Sequence, residues 1–289
     1  MKQVLLAKKQ QQKGFYMKKI IFLDIDGTIR NFDGTIPEST IRAVRKAREK
    51  GHEVCICSGR PYNQIEKKVL EIGFDGVVSS AGGNTQYKGE CIGKTCFSPE
   101  VYKGFCGYLL EHDCVVEIQR SDKTFVPAQC YEEYLNVGRR LMEITGSTQK
   151  ILKEAPEKAE NAAELPDVEK MLFFSNDLPY ETIAKDWEGK IHMTTFSLPN
   201  PEKWGGEITP PDVMKTAGIR RILEAGGFSG EDVIAIGDSD NDIDMLEFAS
   251  VGVCMGNGTP NAKKAADMLT DSVMEDGIEK AFLRLGLID

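Results

Sequence analysis

The sequence lacks an excess of positive charge: 36 Lys and Arg stand against 45 Asp and Glu, for a net charge of −9. A chain that grips a nucleic-acid backbone is normally basic, so that class loses weight. No apolar run approaches the ~20 residues of a membrane span. Val4-Leu5-Leu6 is too short to be the apolar core of a signal peptide. Of the eight cysteines, no two form a Cys-x-x-Cys pair, and their spacing fits neither a zinc site nor a compact disulfide framework. Reduced, partly buried thiols in a cytoplasmic protein are the expectation. The three histidines, His52, His112 and His192, lie apart from every acidic motif and are expected at the surface or in loops. No serine sits in a Gly-x-Ser-x-Gly elbow, which argues against a Ser-His-Asp hydrolase.

What is present suits a soluble globular protein. With 289 residues, 41% apolar and 28% charged, there is room for two domains and a sizeable core. Residues 1–16, polar and rich in Lys and Gln, are expected to be a tag or an upstream extension. From Ile20 onward, short apolar strands alternate with helices. Ile20 to Leu23 and Glu53 to Cys57 are separated by a helix from about Ser39 to Lys50. A further helix, with Ile65, Val69 and Ile72 inward, precedes a strand from Gly76 to Ser79. The same alternation returns near Ile208, with a helix from Pro211 to Ala225 and strands at Val233 to Gly237 and Val251 to Cys254. This predicts an α/β fold with a doubly wound, Rossmann-like parallel sheet. The stretch between has several strands and helices of its own and predicts an inserted α/β domain. The expected division is a core of residues 17–83 and 197–289 and an insert of residues 84–196.

Four signals fall at predicted strand ends, where open α/β sheets bind ligands. In Asp24-Ile25-Asp26-Gly27-Thr28, the two acids are two apart and face the same way in extended chain. A buried carboxylate pair is costly unless a proton or cation relieves the repulsion, and Mg²⁺ does so with oxygen ligands. Gly237-Asp238-Ser239-Asp240-Asn241-Asp242 also follows a buried strand. Asp238 at its tip is the better ligand, with Asp242 supporting it, while Asp240 and Asp244 suit a helix start. Ser58-Gly59-Arg60 offers a hydroxyl and backbone N–H groups to an anion. Lys215 lies on a predicted helix, where a lone lysine is most often exposed. A second Asp-Gly-Thr, at Asp33 to Thr35, reads as the turn of a small hairpin rather than as a site.

In order and spacing, these four motifs together resemble the signature of the haloacid dehalogenase superfamily. The insert of over a hundred residues between the second and third motifs resembles the large α/β cap of its Cof-type, sugar-phosphatase-like branch. The resemblance implies that Asp24 is the nucleophile and Asp26 the acid and base. It implies that Ser58, Gly59, Lys215 and Asn241 hold the phosphoryl group, and that Arg60, Gly83 and Asn84 contact substrate. Asp24, Asp26 through its backbone carbonyl, Asp238 and Asp242 would hold Mg²⁺. The chain departs from the family in having Ser58 for the usual Thr, Lys215-Thr216 for Lys-Gly, and Ala81-Gly82-Gly83-Asn84 where Asn-Gly-Ala is usual. The implied activity is hydrolysis of a small phosphorylated metabolite by a monomer or homodimer. A phosphomutase on the same core and a phospho-accepting signalling module are the alternatives.

Overall fold

The computed structural model describes residues 18–145, 155–175, 177–194 and 205–289. The expected extension at 1–16 lies outside them. In chain order the first elements are β1 (Ile20–Leu23), α1 (Glu38–Glu49), β2 (Glu53–Cys57), α2 (Lys67–Leu70), β3 (Gly76–Ser79), β4 (Asn84–Tyr87) and β5 (Glu90–Lys94). Next come α3 (Pro99–Glu111), β6 (Val115–Gln119), β7 (Thr124–Pro127), α4 (Tyr131–Thr145), β8 (Glu157–Ala159), β9 (Lys170–Phe174), α5 (Tyr180–Asp186), β10 (His192–Thr194) and β11 (Gly205–Thr209). The chain closes with α6 (Lys215–Gly226), β12 (Val233–Gly237), α7 (Ile243–Phe248), β13 (Val251–Cys254), α8 (Pro260–Ala265), β14 (Met268–Leu269) and α9 (Gly277–Arg284). None of the described helices is long and apolar enough to cross a membrane.

The elements form two sheets. The core sheet has the order β14-β13-β12-β1-β2-β3-β4-β5. Its strands are parallel from β14 to β3, and β4 and β5 add an antiparallel hairpin at the edge. Every residue of β1 is buried, because both faces of the sheet are covered. Ile21 and Leu23 pack with Ala43, Val44 and Ala47 of α1 and Phe282 of α9. Ile20 and Phe22 face the other way, against Ile219 and Ile222 of α6 and Met245 and Leu246 of α7. Strand order runs outward in opposite senses on the two sides of β1. The crevice beyond its carboxyl end is therefore the switch point of the sheet.

The second sheet, the cap, has the order β10-β11-β9-β6-β7-β8 and is antiparallel except where β7 meets β8. Phe105 and Leu109 of α3 pack with Val116, Ile118, Met171 and Phe173 on one face. Tyr134 and Val137 of α4 pack with Val115, Val126 and Phe174 on the other.

Sheet membership corrects the expected domain limits at both ends. Residues 84–94 were assigned to the insert but pair with the core, Ser79 opposite Asn84. Gly205–Thr209 was assigned to the core but pairs with β9 of the cap. Alternating polar and apolar residues mark a strand without saying which sheet it joins. Three local expectations also change. The turn at 31–35 is present, with Asn31 N–H donating to Thr35 O and Gly34 N–H to Asn31 O, but no strands flank it. The helix expected from Pro211 starts at Lys215. His52 is buried, and its Nδ1 accepts from Lys19 N–H at 3.1 Å.

Candidate active site

The loops after β1, β2 and β12 converge with the first turn of α6. Asp24, directly after β1, is buried, and its Oδ1 accepts from Lys215 Nζ at 2.7 Å. Lys215 is only 2% exposed, against the expectation for a helical lysine. Two features explain its burial. Thr216 N–H donates to Asp244 at 3.0 Å, which ties the start of α6 to α7. Gly218, one turn on, lies so close to the sheet that a β-carbon there would stand 2.3 Å from Val78 Cγ1.

Lys215 also bonds Asp242 Oδ1. The other oxygen of Asp242 accepts from the backbone N–H groups of Asp238 at 2.9 Å and Ser239 at 3.0 Å. With both oxygens engaged, Asp242 shapes the loop that presents Asp238. Gly237 has no room for a side chain, since a β-carbon would stand 2.5 Å from Asp242 Cγ. Gly27 is constrained twice: its φ is +82°, and a β-carbon would stand 2.2 Å from Asp238 Oδ2. Thr28 Oγ1 donates to Asp238 at 3.4 Å, and Asn257 Nδ2 donates to Gly27 O at 2.8 Å and to Asp238 Oδ2 at 3.5 Å. Asn257 was not anticipated. Its only sequence signal is its place just past the end of β13.

Asp24, Asp238 and Asp242 each have a carboxylate oxygen within 4.8 Å of the others. Burial, opposed by Lys215 and reinforced by Asp242, pushes Asp24 up to about 7. Burial, then Asp24 and Asp242, pushes Asp238 up to about 9. Burial would lower the Lys215 ammonium, but Asp24 and Asp242 outweigh it and hold Lys215 well above its ordinary value. With all three carboxylates ionised, the cluster sets three negative charges against one ammonium and stands two positive charges short of balance. A hard dication on these oxygen donors would close that gap. The residues present therefore fit Mg²⁺.

Asp26 has a different environment. Arg60 Nε meets its Oδ2 at 2.5 Å, and Arg30 Nε and Nη2 meet its Oδ1 at 2.8 and 2.7 Å. Burial would raise its carboxyl, but Arg60 and then Arg30 hold it below its ordinary value. Arg30 in turn bonds Glu66 at 2.7 Å. Arg30 and Glu66 were not anticipated, although an arginine directly after Thr28-Ile29 was visible in the sequence.

The remaining expected residues divide into two groups. Ser58 is buried at the tip of β2, and its Oγ accepts from Arg60 N–H at 3.2 Å. Gly59 and Asn241 are close, for a β-carbon on Gly59 would lie 3.6 Å from Asn241 Nδ2. Arg60 is engaged with Asp26. Gly83 and Asn84 make their contacts elsewhere. Thr95 N–H donates to Gly83 O at 2.7 Å, and Asn84 opens β4. They serve the core hairpin, and none of these contacts is with the carboxylate cluster.

The cap adds residues that spacing alone did not reveal. Lys170, buried on β9, donates to Gly59 O at 2.7 Å and pairs with Glu207 of β11 at 2.5 Å. Ser80 Oγ donates to Glu169 at 2.8 Å, and Gln64 Nε2 donates to Thr124 Oγ1 at 2.9 Å. The cap thus lies directly against the core loops that follow β2 and β3.

This geometry agrees with what the chain is similar to. The family model for haloacid dehalogenase-like hydrolases matches residues 21–282. The putative phosphatase YkrA of Bacillus subtilis is 29% identical, over 93% of this chain and 98% of its own. The 5-amino-6-(5-phospho-D-ribitylamino)uracil phosphatase YitU of the same organism is 28% identical, over 90% of this chain and 95% of its own. The solved structure of the subclass IIB sugar phosphatase BT4131 is 26% identical, with a TM-score of 0.78, covering 94% of this chain and all of that one. The chain belongs to the haloacid dehalogenase-like hydrolases, in their large-capped, Cof-type branch.

Proposed function

We propose that this enzyme is a Mg²⁺-dependent phosphatase of small phosphomonoesters that works through an aspartyl-phosphate on Asp24. That it hydrolyses small phosphate esters follows from its family and its phosphatase relatives. The observation that carries the finer reading is the charge imbalance of the buried cluster, three carboxylates against Lys215. Phosphoryl transfer depends on charge neutralisation and in-line positioning, and a cation beside Lys215 in this cluster supports the first of these.

In the first displacement, an Asp24 carboxylate oxygen attacks phosphorus. The bond to the leaving oxygen breaks, and Asp26 supplies that oxygen with a proton. In the second, water attacks phosphorus, Asp26 takes its proton, and the bond to Asp24 breaks. The two guanidiniums on Asp26 suit the second step, in which it acts as a base. The first step needs Asp26 protonated, so the bound phosphoryl group has to draw guanidinium charge away from it. Ser58 and Lys215 hold phosphoryl oxygens, and Lys215 also orients Asp24. Asp24, Asp238 and the backbone carbonyl of Asp26 would hold Mg²⁺, with Asp242 as support. When bound, the ion supplies the positive charge that this acidic pocket lacks.

Phosphate release from a panel of phosphomonoesters tests the reading. Turnover is expected to stop with EDTA and to return with Mg²⁺. Turnover indifferent to chelation would remove the metal from the account, and isomerised sugar phosphate in place of free phosphate would make the enzyme a mutase.

A further inference from the structure

One face of the cap sheet is polar where it meets the core. Paired residues on antiparallel strands project to the same side, as do residues two apart on one strand. The register places Thr124, Gln119 and Lys170 in one row across β7, β6 and β9. Glu117 and Glu207 flank Leu172 in the next row. Lys170 reaches Gly59 O, beside Ser58, so this face looks onto the catalytic loops. From the core side, Gln64 accepts from Arg60 Nη1 through its backbone carbonyl and donates to Thr124 and Glu117 through its side-chain Nε2. The patch is therefore linked to Asp26 through Arg60.

Within this patch one acceptor is unmet. Gln119 is 2% exposed, and among the described residues its Oε1 has no hydrogen-bond partner. Its Nε2 donates to Glu117 Oε1 at 2.6 Å, which fixes the amide, because the reversed amide would turn its oxygen onto a carboxylate. A buried acceptor without a donor is rare in folded proteins and calls for an explanation. The ammonium of Lys170 is already engaged by Glu207 and Gly59 O. The patch thus offers one unmet acceptor, Gln119 Oε1, beside the Glu117 carboxylate, which already accepts from the Tyr134 hydroxyl at 2.5 Å, from Gln119 and from Gln64, and its lysine is committed to Glu207.

We propose that Gln119 and Glu117 form the leaving-group subsite, which takes a neutral, hydroxyl-rich group and disfavours a second anionic one. A hydroxyl proton of the substrate donates to Gln119 Oε1, with the Glu117 carboxylate behind it, while a second phosphate meets that carboxylate and a lysine already paired with Glu207. This inference rests on the phosphatase reading and deepens it.

The test compares kcat/KM for glucose 6-phosphate, fructose 1,6-bisphosphate and p-nitrophenyl phosphate in the wild type and two variants. Gln119→Met keeps the volume and removes the acceptor. It is expected to lower the ratio of glucose 6-phosphate to p-nitrophenyl phosphate efficiency by about tenfold, mainly through KM, the size of one lost hydrogen bond. Glu117→Gln is expected to narrow the preference for glucose 6-phosphate over the bisphosphate. Because each readout is a ratio within one protein, a partly unfolded variant does not imitate the result. Ratios that stay put in both variants, or a wild type that prefers the bisphosphate, would overturn the subsite and leave the phosphatase reading standing. No phosphate from any of the three probes would overturn both.

Discussion

Lys215 bonds both Asp24 and Asp242 in a pocket that water scarcely reaches. Removing one partner of a buried charge network leaves the others uncompensated, which typically costs about 3–5 kcal/mol. Lys215→Met is therefore expected to lower unfolding free energy by that order and to cut turnover by roughly a hundredfold or more. Urea denaturation and phosphate release check the two effects, and a variant with wild-type values in both would contradict the role given to Lys215. At this scale the position of Asp24, Ser58 and Asp238 was legible, because each directly follows an apolar strand, with Asp26 two residues past Asp24. Lys215 was legible as a motif member but not as a buried residue, since burial depends on Gly218 letting the helix approach Val78. Glu66 and Asn257 were missed because their partners are distant in sequence, and Arg30, only four residues from Asp26, because it lies just past the motif.

Helix α6 is the element that delivers Lys215, and its closeness to the sheet sets how far the ammonium reaches. In Gly218→Ala the new methyl would meet Val78 Cγ1 at 2.3 Å and Cγ2 at 3.0 Å, and Val78 is fully buried. Overpacking of this kind costs about 1–3 kcal/mol. The variant is expected to lose that much stability and to lose activity as Lys215 is drawn back. Chemical denaturation beside phosphate release measures both, and wild-type stability would contradict the close approach. Elements buried on both faces, such as β1 and β12, were readable from their apolar runs alone. The hairpin β4–β5 and the strand β11 were placed in the wrong domain, because their partners are chosen by the completed sheets. The cap's polar face was not legible either. Glu117, Gln119, Lys170 and Glu207 look like solvated strand positions until the register and the core loops bring them together.

The whole molecule carries this electrostatic load as a dependence on pH and metal. Asp24 and Asp238 stand at about 7 and about 9 in the fold, raised from 3.8 chiefly by burial. The metal-free fold thus holds protons that the unfolded chain has released, so its stability falls as pH rises from about 4 through about 9. Melting temperature in EDTA is expected to drop between pH 5.5 and 8, and Mg²⁺ to restore more at pH 8 than at pH 5.5. A metal-free melting temperature that is flat over that range would contradict the charge imbalance. In the proposed mechanism cap and core share one task, the cap meeting the leaving group and the core holding the phosphoryl group on Asp24. The most direct measurement is acid quenching during turnover of a ³²P-labelled phosphomonoester, followed by peptide mapping. The account predicts hydroxylamine-labile label on the peptide that contains Asp24, absent in Asp24→Asn; label on Ser58, or no protein-bound label at any time during turnover, would contradict it.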